Sequence, residues 1–540
     1  MSDCFSELSQ NIANVFIQSV LFVDDQAYKN EGGDNSFDVK QMSQESASRG
    51  LLSTAYAPDQ LQDLDKIVVV GKNADILVLD WRMDCNDESD AEKSDDSEED
   101  IADVRGDLAV NVIKRIVLDS DSDAVMDQLK LIFVYTGETG LKDISDRLNT
   151  EFSKFDKLDD FTFSFGGIRI SIWAKESLAK TFKHLPENKA RLRSYNQLLD
   201  EIPVEYAAVS SGVLSNTCLN ALSSLRNNTY QLLAKFSPHL DHAFVAHRAM
   251  LPCPSDAGEL LKETICGEFN AILTDVDISQ QVSNDVINKW ILDQDLTDIE
   301  ITVKKATKDV PAKKITINNE KRKLWQDSGY SAFISQEVDG ASSLVLNKSG
   351  IKKCERDLLK DHACLVFAPE SIAKKGCNEE FAILTHQKRN YLSSIKCPFL
   401  TLGVVVKYAG RYLVCIQQNC DSMRIYEGGK RNFLFLPLKE NTHSFDVLFK
   451  NEDNEYVYLL TCCKNCQDLE SIEFASTCNT GVVQAQKEDK CYYFMGAGDA
   501  DVKFQWILNL KEAHAQKIVN KFAANLSRVG LDESEWLRRS

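Results

Sequence analysis

Four apolar runs in the first third of this chain each end on a side chain suited to phosphate or a divalent metal. Asp80 closes Asp75-Ile76-Leu77-Val78-Leu79, and Asp24-Asp25 closes Val20-Leu21-Phe22-Val23. Thr136 closes Leu131-Ile132-Phe133-Val134-Tyr135, and Lys175 ends the run Ile168-Arg169-Ile170-Ser171-Ile172-Trp173. Open α/β sheets bind ligands at the carboxyl ends of their strands, so these groups are expected to converge at one edge. A carboxylate attacks phosphorus poorly unless the phosphate charge is neutralised, and Mg²⁺ held by oxygen ligands does this. On that chemistry Asp80 is the nucleophile and carries the phosphoryl group as an acyl phosphate. Asp24 and Asp25 hold the metal with Asp80, and the backbone carbonyl of Arg82 turns back to the same ion. Lys175 pairs with a phosphate oxygen as a compact point charge. Thr136 gives its hydroxyl to another oxygen, a contact present only with phosphate, which makes it a local switch.

The elements needed to position these residues can be read around them. A helical segment from Ser6 to Ile17 precedes the Asp24-Asp25 strand. Gln26 to Gly50 is polar and reads as a loop, Leu51–Tyr56 as a short strand and Pro58–Gly71 as a helix. Asp84 to Asp100 is an acidic run with almost nothing apolar and reads as a loop. Helical spacing from Arg105 to Leu118 places Leu108, Val112, Ile116 and Val117 on one side. A further helix, Leu141–Phe152, separates the last two strands. Strands alternating with helices imply parallel βαβ packing, hence an α/β, doubly wound parallel sheet at the N-terminus.

Beyond it the pattern turns helical, with expected helices Lys189–Glu201, Tyr206–Lys235, Phe236–Leu251 and Asp256–Thr274. Lysines and an arginine crowd residues 301–325, which reads as a solvated linker or exposed strand, or else a strip for an acidic partner. Expected strands Val404–Tyr408, Tyr412–Gln417, Phe433–Leu436 and Tyr456–Leu460, with a helix from Lys511 to Val529, make the remainder α+β. The expected division is 1–182 for the parallel-sheet domain with an acidic insertion at 84–103. A helical region at 183–300, a basic linker at 301–329 and an α+β domain at 330–540 follow.

At 540 residues the chain is too long for one core. Its net charge of −20 argues against broad nucleic-acid or anionic-membrane binding. No apolar run approaches the ~20 residues of a membrane span, and the N-terminus lacks the order of a signal peptide; a cytoplasmic location is expected. Of 16 cysteines, 11 lie between Cys354 and Cys491, and without a signal sequence they read as free thiols. Cys462-Cys463-x-x-Cys466 has the spacing of half a zinc site, but no well-spaced second pair accompanies Cys463 and Cys466. His247 has the His-x4-Pro spacing, to Pro252, seen around kinase phosphohistidines. Its acidic neighbour is missing and no ATP-binding segment follows, so it reads as an ordinary core or surface histidine. Glu533-Ser534-Glu535-Trp536 is acidic and amphipathic, which suits docking to a partner, and is expected rather to pack on the C-terminal domain.

The ordered set Asp24-Asp25, Asp80-Trp81-Arg82-Met83, Thr136 and Lys175 resembles the receiver domains of two-component response regulators over about the first 180 residues. The resemblance implies a flavodoxin-like fold, Mg²⁺ and phosphorylation of Asp80 by a cognate histidine kinase. The chain departs from the family at Asp84 and Glu176, where proline is usual, and at Ile172, where an aromatic is expected. No helix-turn-helix, Walker A loop or cyclase motif follows, so no catalytic effector is recognised. A large receiver with such extensions resembles the effector-less receiver protein of Detocs-type anti-phage systems. That likeness implies a phosphate sink or modulator, with a second, effector-bearing receiver protein competing for phosphate. Two other readings stay open: a phosphorylation-gated effector with an active site in 330–540, near residues such as His386 and Cys466, and a scaffold that binds its kinase.

Overall fold

The structure is a computed structural model that describes residues 4–28, 37–60, 62–83, 106–118, 125–126, 128–251, 253–294, 296–303, 313–337, 364, 366–368, 376–389, 397–441, 444–462, 469–476, 481–489, 491–497 and 502–526. The chain divides into two compact units, residues 1–295 with 318–344, and residues 296–317 with 345–540.

The first unit opens with α1 (Phe5–Phe16), β1 (Ser19–Val23), α2 (Val39–Ser48), β2 (Leu52–Tyr56), α3 (Asp63–Asn73) and β3 (Ile76–Leu79). It continues through α4 (Asp107–Val117), β4 (Lys130–Thr136), α5 (Leu141–Glu151), β5 (Asp156–Asp159), β6 (Thr162–Phe165) and β7 (Ile168–Lys175). The sheet order is β2-β1-β3-β4-β7-β6-β5. The strands from β2 to β7 run parallel, as the alternation of strand and helix requires. Val23, Leu79, Val134 and Ile172 are in register across four of them. Asp24 and Asp80 therefore leave the sheet at one level, with Thr136 one residue and Lys175 two residues further along.

Side chains alternate between two cores. Leu21, Leu77, Ile132 and Ile170 face α3, α4 and α5, and Phe22, Val78, Phe133 and Trp173 face the opposite way. That second face is covered partly by α2 and partly by helices of the middle region. Gln26–Gly50 was expected as a loop, but it holds α2, capped by the Asp38 carboxylate on the Gln41 amide. Only Met42 and Ser46 of α2 are buried, so its apolar periodicity is faint in sequence. The expected helix Pro58–Gly71 starts later, at Asp63, whose carboxylate accepts from the Asp59 and Gln60 amides. The β5–β6 hairpin was not expected. Its strands are four residues each, too short for a clear alternation, and β6 pairs antiparallel with β7.

The middle region holds α6 (Pro186–Ala190), β8 (Leu192–Arg193), α7 (Tyr195–Ser210), α8 (Val213–Asn227), α9 (Thr229–Lys235), α10 (Asp241–Met250), α11 (Ala257–Asp275) and α12 (Asn284–Asp293). The first unit also takes α13 (Asn319–Glu337), interrupted at Gly329. The expected helix Lys189–Glu201 starts instead at Tyr195, where Ser194 and Gln197 form a capping box. The expected helix Tyr206–Lys235 is three helices, parted by extended backbone at Ser211-Gly212 and by Asn228. Leu198, Leu199, Ile202 and Tyr206 of α7 complete the second core. Glu205 of α7 accepts from Ser171 Oγ at 3.3 Å and pairs with Arg169, fixing the helix to β7.

The second unit is mainly antiparallel. β9 (Ile299–Val303) and β10 (Lys313–Ile317) form a hairpin inside the basic stretch. Then come α14 (Cys377–His386), β11 (Val404–Tyr408), β12 (Arg411–Cys415), β13 (Lys430–Glu440), β14 (Val447–Lys450) and β15 (Tyr456–Thr461). β16 (Glu470–Ala475), β17 (Gln486–Glu488), β18 (Cys491–Met495), β19 (Lys503–Asn509) and α15 (Glu512–Leu526) complete it. The β11–β12 turn places Ala409 and Gly410 at φ 48° and 76°, the left-handed pair that a two-residue hairpin favours. α15 sets Ala515, Ile518 and Phe522 into one core of the sheet. The acidic run 84–100 of the insertion, Lys304, Lys305 and Lys308, Cys463 and Cys466, and Glu533–Trp536 lie outside the described residues. Among the described residues, no helix is long and apolar enough to cross a membrane.

Leu198 and Ile202 close the sheet face that carries Phe133 and Trp173. Leu198→Ala or Ile202→Ala is therefore expected to destabilise the first unit by about 2–5 kcal/mol, read from denaturant unfolding of the full chain.

Candidate functional site

Each strand delivers one part of the cluster. Asp24 and Asp25 directly follow β1, Asp80 directly follows β3, and Thr136 and Lys175 are the last residues of β4 and β7. Backbone bonds fix the strand ends: Asp80 N donates to Val23 O at 2.8 Å and Asp24 N donates to Tyr56 O at 3.1 Å. All five side chains are buried. Lys175 Nζ donates to Asp24 Oδ2 at 2.8 Å and to Asp80 Oδ2 at 2.6 Å. The Gln26 amide N donates to Asp24 Oδ1 at 2.9 Å, and Gln26 Nε2 donates to Asp25 Oδ2 at 2.6 Å. Arg82 N reaches Asp80 Oδ1 at 3.4 Å. Thr136 Oγ1 accepts from Glu138 N at 3.0 Å, so its own proton can go to an oxygen in the cleft. That cleft, about 330 Å³, is lined by Asp25, Asp80, Thr136 and Lys175 together with Gln26, Arg82, Gly137 and Glu138.

The electrostatics are those of crowded acids with little water. Burial pushes the Asp80 carboxyl up to about 7; Lys175 opposes the rise and Asp24 adds to it. Burial also works against the Lys175 ammonium, but Asp80 and Asp24 outweigh it and hold that group above its ordinary value. Oxygens of Asp24, Asp25 and Asp80 lie within 4.8 Å of one another. Oxygens sharing one Mg²⁺ at bonds of about 2.1 Å are roughly 3–4 Å apart, so small side-chain shifts bring these carboxylates onto one ion. An all-oxygen donor set suits Mg²⁺, which prefers one or two carboxylates and retained water.

The structure brings together Asp24, Asp25, Asp80, Arg82, Thr136 and Lys175. His247 lies on the exposed helix α10 and does not line this cleft. Ile172 is buried among the residues facing α3 to α5. Sequence reasoning missed the residues that back the lysine. The Lys175 ammonium lies 5.9 Å from the Tyr135 ring. Tyr135 donates from its hydroxyl to Arg193 O at 2.9 Å. β8 pairs Lys175 with Arg193 and Ala174 with Leu192, stitching the lysine strand to the start of α7. Tyr195, the first residue of α7, packs edge-on against Tyr135 at 5.0 Å, and its hydroxyl is buried without a hydrogen-bond partner among the described residues. The signal was present in part: Tyr135 directly precedes Thr136, and Gln26 directly follows Asp25.

Residues 16–180 match the family described as the response receiver domain. This segment is a receiver domain. No curated protein and no solved structure matches the chain. A receiver domain supports a phosphoacceptor role, and the acid cluster fits it.

Because a proton on Asp80 competes with metal, Mg²⁺ affinity is expected to rise as pH passes through about 7 and to flatten above it. Calorimetric titration between about pH 6 and about pH 8 reads this directly. An affinity that does not change across that window would mean Asp80 is already ionised.

Proposed function

We propose that this protein accepts a phosphoryl group on Asp80 from a cognate histidine kinase, with Mg²⁺ bound by Asp24, Asp25, Asp80 and the Arg82 carbonyl. The observation that carries this reading is the Lys175 ammonium, held 2.8 Å from Asp24 and 2.6 Å from Asp80 in the wall of the cleft. When bound, the metal neutralises phosphate charge and leaves the phosphorus open to attack. An Asp80 oxygen forms the new P–O bond while the P–N bond to the kinase phosphohistidine breaks, its electron pair leaving with the imidazole. Lys175 then exchanges its bond to Asp80 for one to a phosphate oxygen. Thr136 donates its hydroxyl to a second oxygen, drawing the Gly137-Glu138 loop inward.

The setting we propose is an anti-phage two-component system of Detocs type, where this chain draws phosphate from the kinase that also serves an effector-bearing receiver protein. What supports this setting is the sequence resemblance of the whole chain. The site geometry supports only the phosphoacceptor chemistry.

The purified chain is expected to gain one phosphoryl group from a small-molecule phosphodonor with Mg²⁺, seen by intact-mass spectrometry, and Asp80→Ala is expected to abolish the gain. Labelling unchanged in that variant would sink the proposal.

The same geometry gives phosphate a route to the helices. Movement of Lys175 acts on Arg193 through strand pairing and on Tyr135 through its ring, and both touch the start of α7. Phosphodonor is therefore expected to change amide hydrogen exchange across residues 192–210. Tyr195→Ala should leave labelling intact and blunt that change; an identical exchange response in the variant would remove Tyr195 from the route.

A further inference from the structure

Helix α14 is anchored to the second unit at both ends. At its start Tyr456 Oη donates to Glu380 Oε1 and Tyr458 Oη to Glu379 Oε1, each at 2.8 Å. Gly376, which caps the helix at φ 78°, lies so close to the Tyr456 ring that a Cβ there would come within 2.7 Å of it. At the far end Lys511 N donates to His386 O at 2.7 Å. Cys377, the first residue of this helix, is therefore held in place. Its Sγ lies 2.7 Å from Cys364 Sγ, 13 residues earlier in the chain. Cys364 is held as well, since Val366, two residues on, is fully buried. Both cysteines are only partly buried, within reach of small molecules.

We propose that Cys364 and Cys377 are a reversible redox pair, closed to a disulfide by a peroxide and reopened by a small thiol. A disulfide bond is about 2.05 Å long, so a small rotation of the two side chains brings these sulfurs to bonding distance. Burial pushes the Cys364 thiol up to about 12, helped by its hydrogen bond to Cys377 and by Glu379. Cys364 thus keeps its proton, and Cys377 attacks first. The Cys377 sulfur takes one peroxide oxygen as a sulfenic acid, and the O–O bond breaks to release hydroxide, which takes up the proton that Cys377 lost. The Cys364 sulfur then displaces hydroxide from Cys377 Sγ, and this hydroxide leaves as water with the Cys364 proton. Two thiols are oxidised and one peroxide is reduced to two waters. Attack by a small thiol gives a mixed disulfide, and a second small thiol releases it and restores both cysteines. Such transient disulfides are the kind that reducing compartments allow. Closed, the bond ties the Cys364 segment to α14 and, through Glu379 and Glu380, to β15.

Peroxide treatment of the reduced full chain, then alkylation and non-reducing peptide mapping, tests this. A Cys364–Cys377 cross-link lighter by two hydrogens is expected. It should outweigh any other cysteine pairing by about tenfold or more, and dithiothreitol should remove it. Cys364→Ser should leave a sulfenic acid on Cys377 that dimedone traps, whereas Cys377→Ser should leave Cys364 unmodified. The map of the unaltered chain decides the pairing even if a variant fails to fold. Cys364 and Cys377 both alkylated after peroxide, or paired with other cysteines as often as with each other, overturns the proposal. So does a cross-link that forms only once the chain is denatured. Dimedone on Cys364 in the Cys377→Ser variant overturns the assigned order of attack.

Discussion

The rest of the site depends on one buried ammonium. Lys175 lies between Asp24 and Asp80, in a pocket where a third carboxylate, Asp25, is close by. Carboxylates so near one another repel strongly where water is scarce, and removing one partner of such a pair typically costs about 3–5 kcal/mol. The lysine makes the cluster tolerable without making it comfortable: burial still lifts Asp80 toward neutrality. A metal ion or a phosphoryl group arriving in the cleft rearranges charges that are already under tension. That arrangement needs a rigid frame, and the registered ends of β1, β3, β4 and β7 supply it.

The frame is completed from outside the segment that matches the receiver family. The face carrying Phe133 and Trp173 is buried by α7, which begins after residue 180. β8 ties that helix to the lysine strand, while Arg191 and Arg193 set their guanidinium groups 4.9 and 4.6 Å from the Trp173 ring. The middle helices are therefore part of the packing of the site, and the receiver domain and its extension make one folded unit. The coupling we propose between them runs through these shared strands and this shared core.

The cluster at the sheet edge was legible because strand ends are marked twice, by an apolar run and by the polar residue that stops it. Asp24, Asp25, Asp80, Thr136 and Lys175 each carried both marks, and the sheet register brings them to one edge. What sequence did not reveal depends on tertiary contact. α2 has two buried residues, so its periodicity was hidden in a polar stretch. Tyr195 matters only because β8 folds it back beside Tyr135, a proximity that no spacing along the chain encodes. The β5–β6 hairpin is built from strands of four residues, too short to announce themselves, and β5 is charged as well.

That hairpin changes what the sheet can recruit. β7 would otherwise end the sheet on this side, offering a row of unpaired amides and carbonyls to any extended peptide. β6 occupies that row, and the outermost strand, β5, is four exposed residues, Asp156-Lys157-Leu158-Asp159. A short, charged rim is a poor template for a further strand. On this flank, fibril-like growth and capture of extended peptides through main-chain pairing are both discouraged. A protein that recognises this flank must do so through side chains and shape, with selectivity that backbone pairing would not provide.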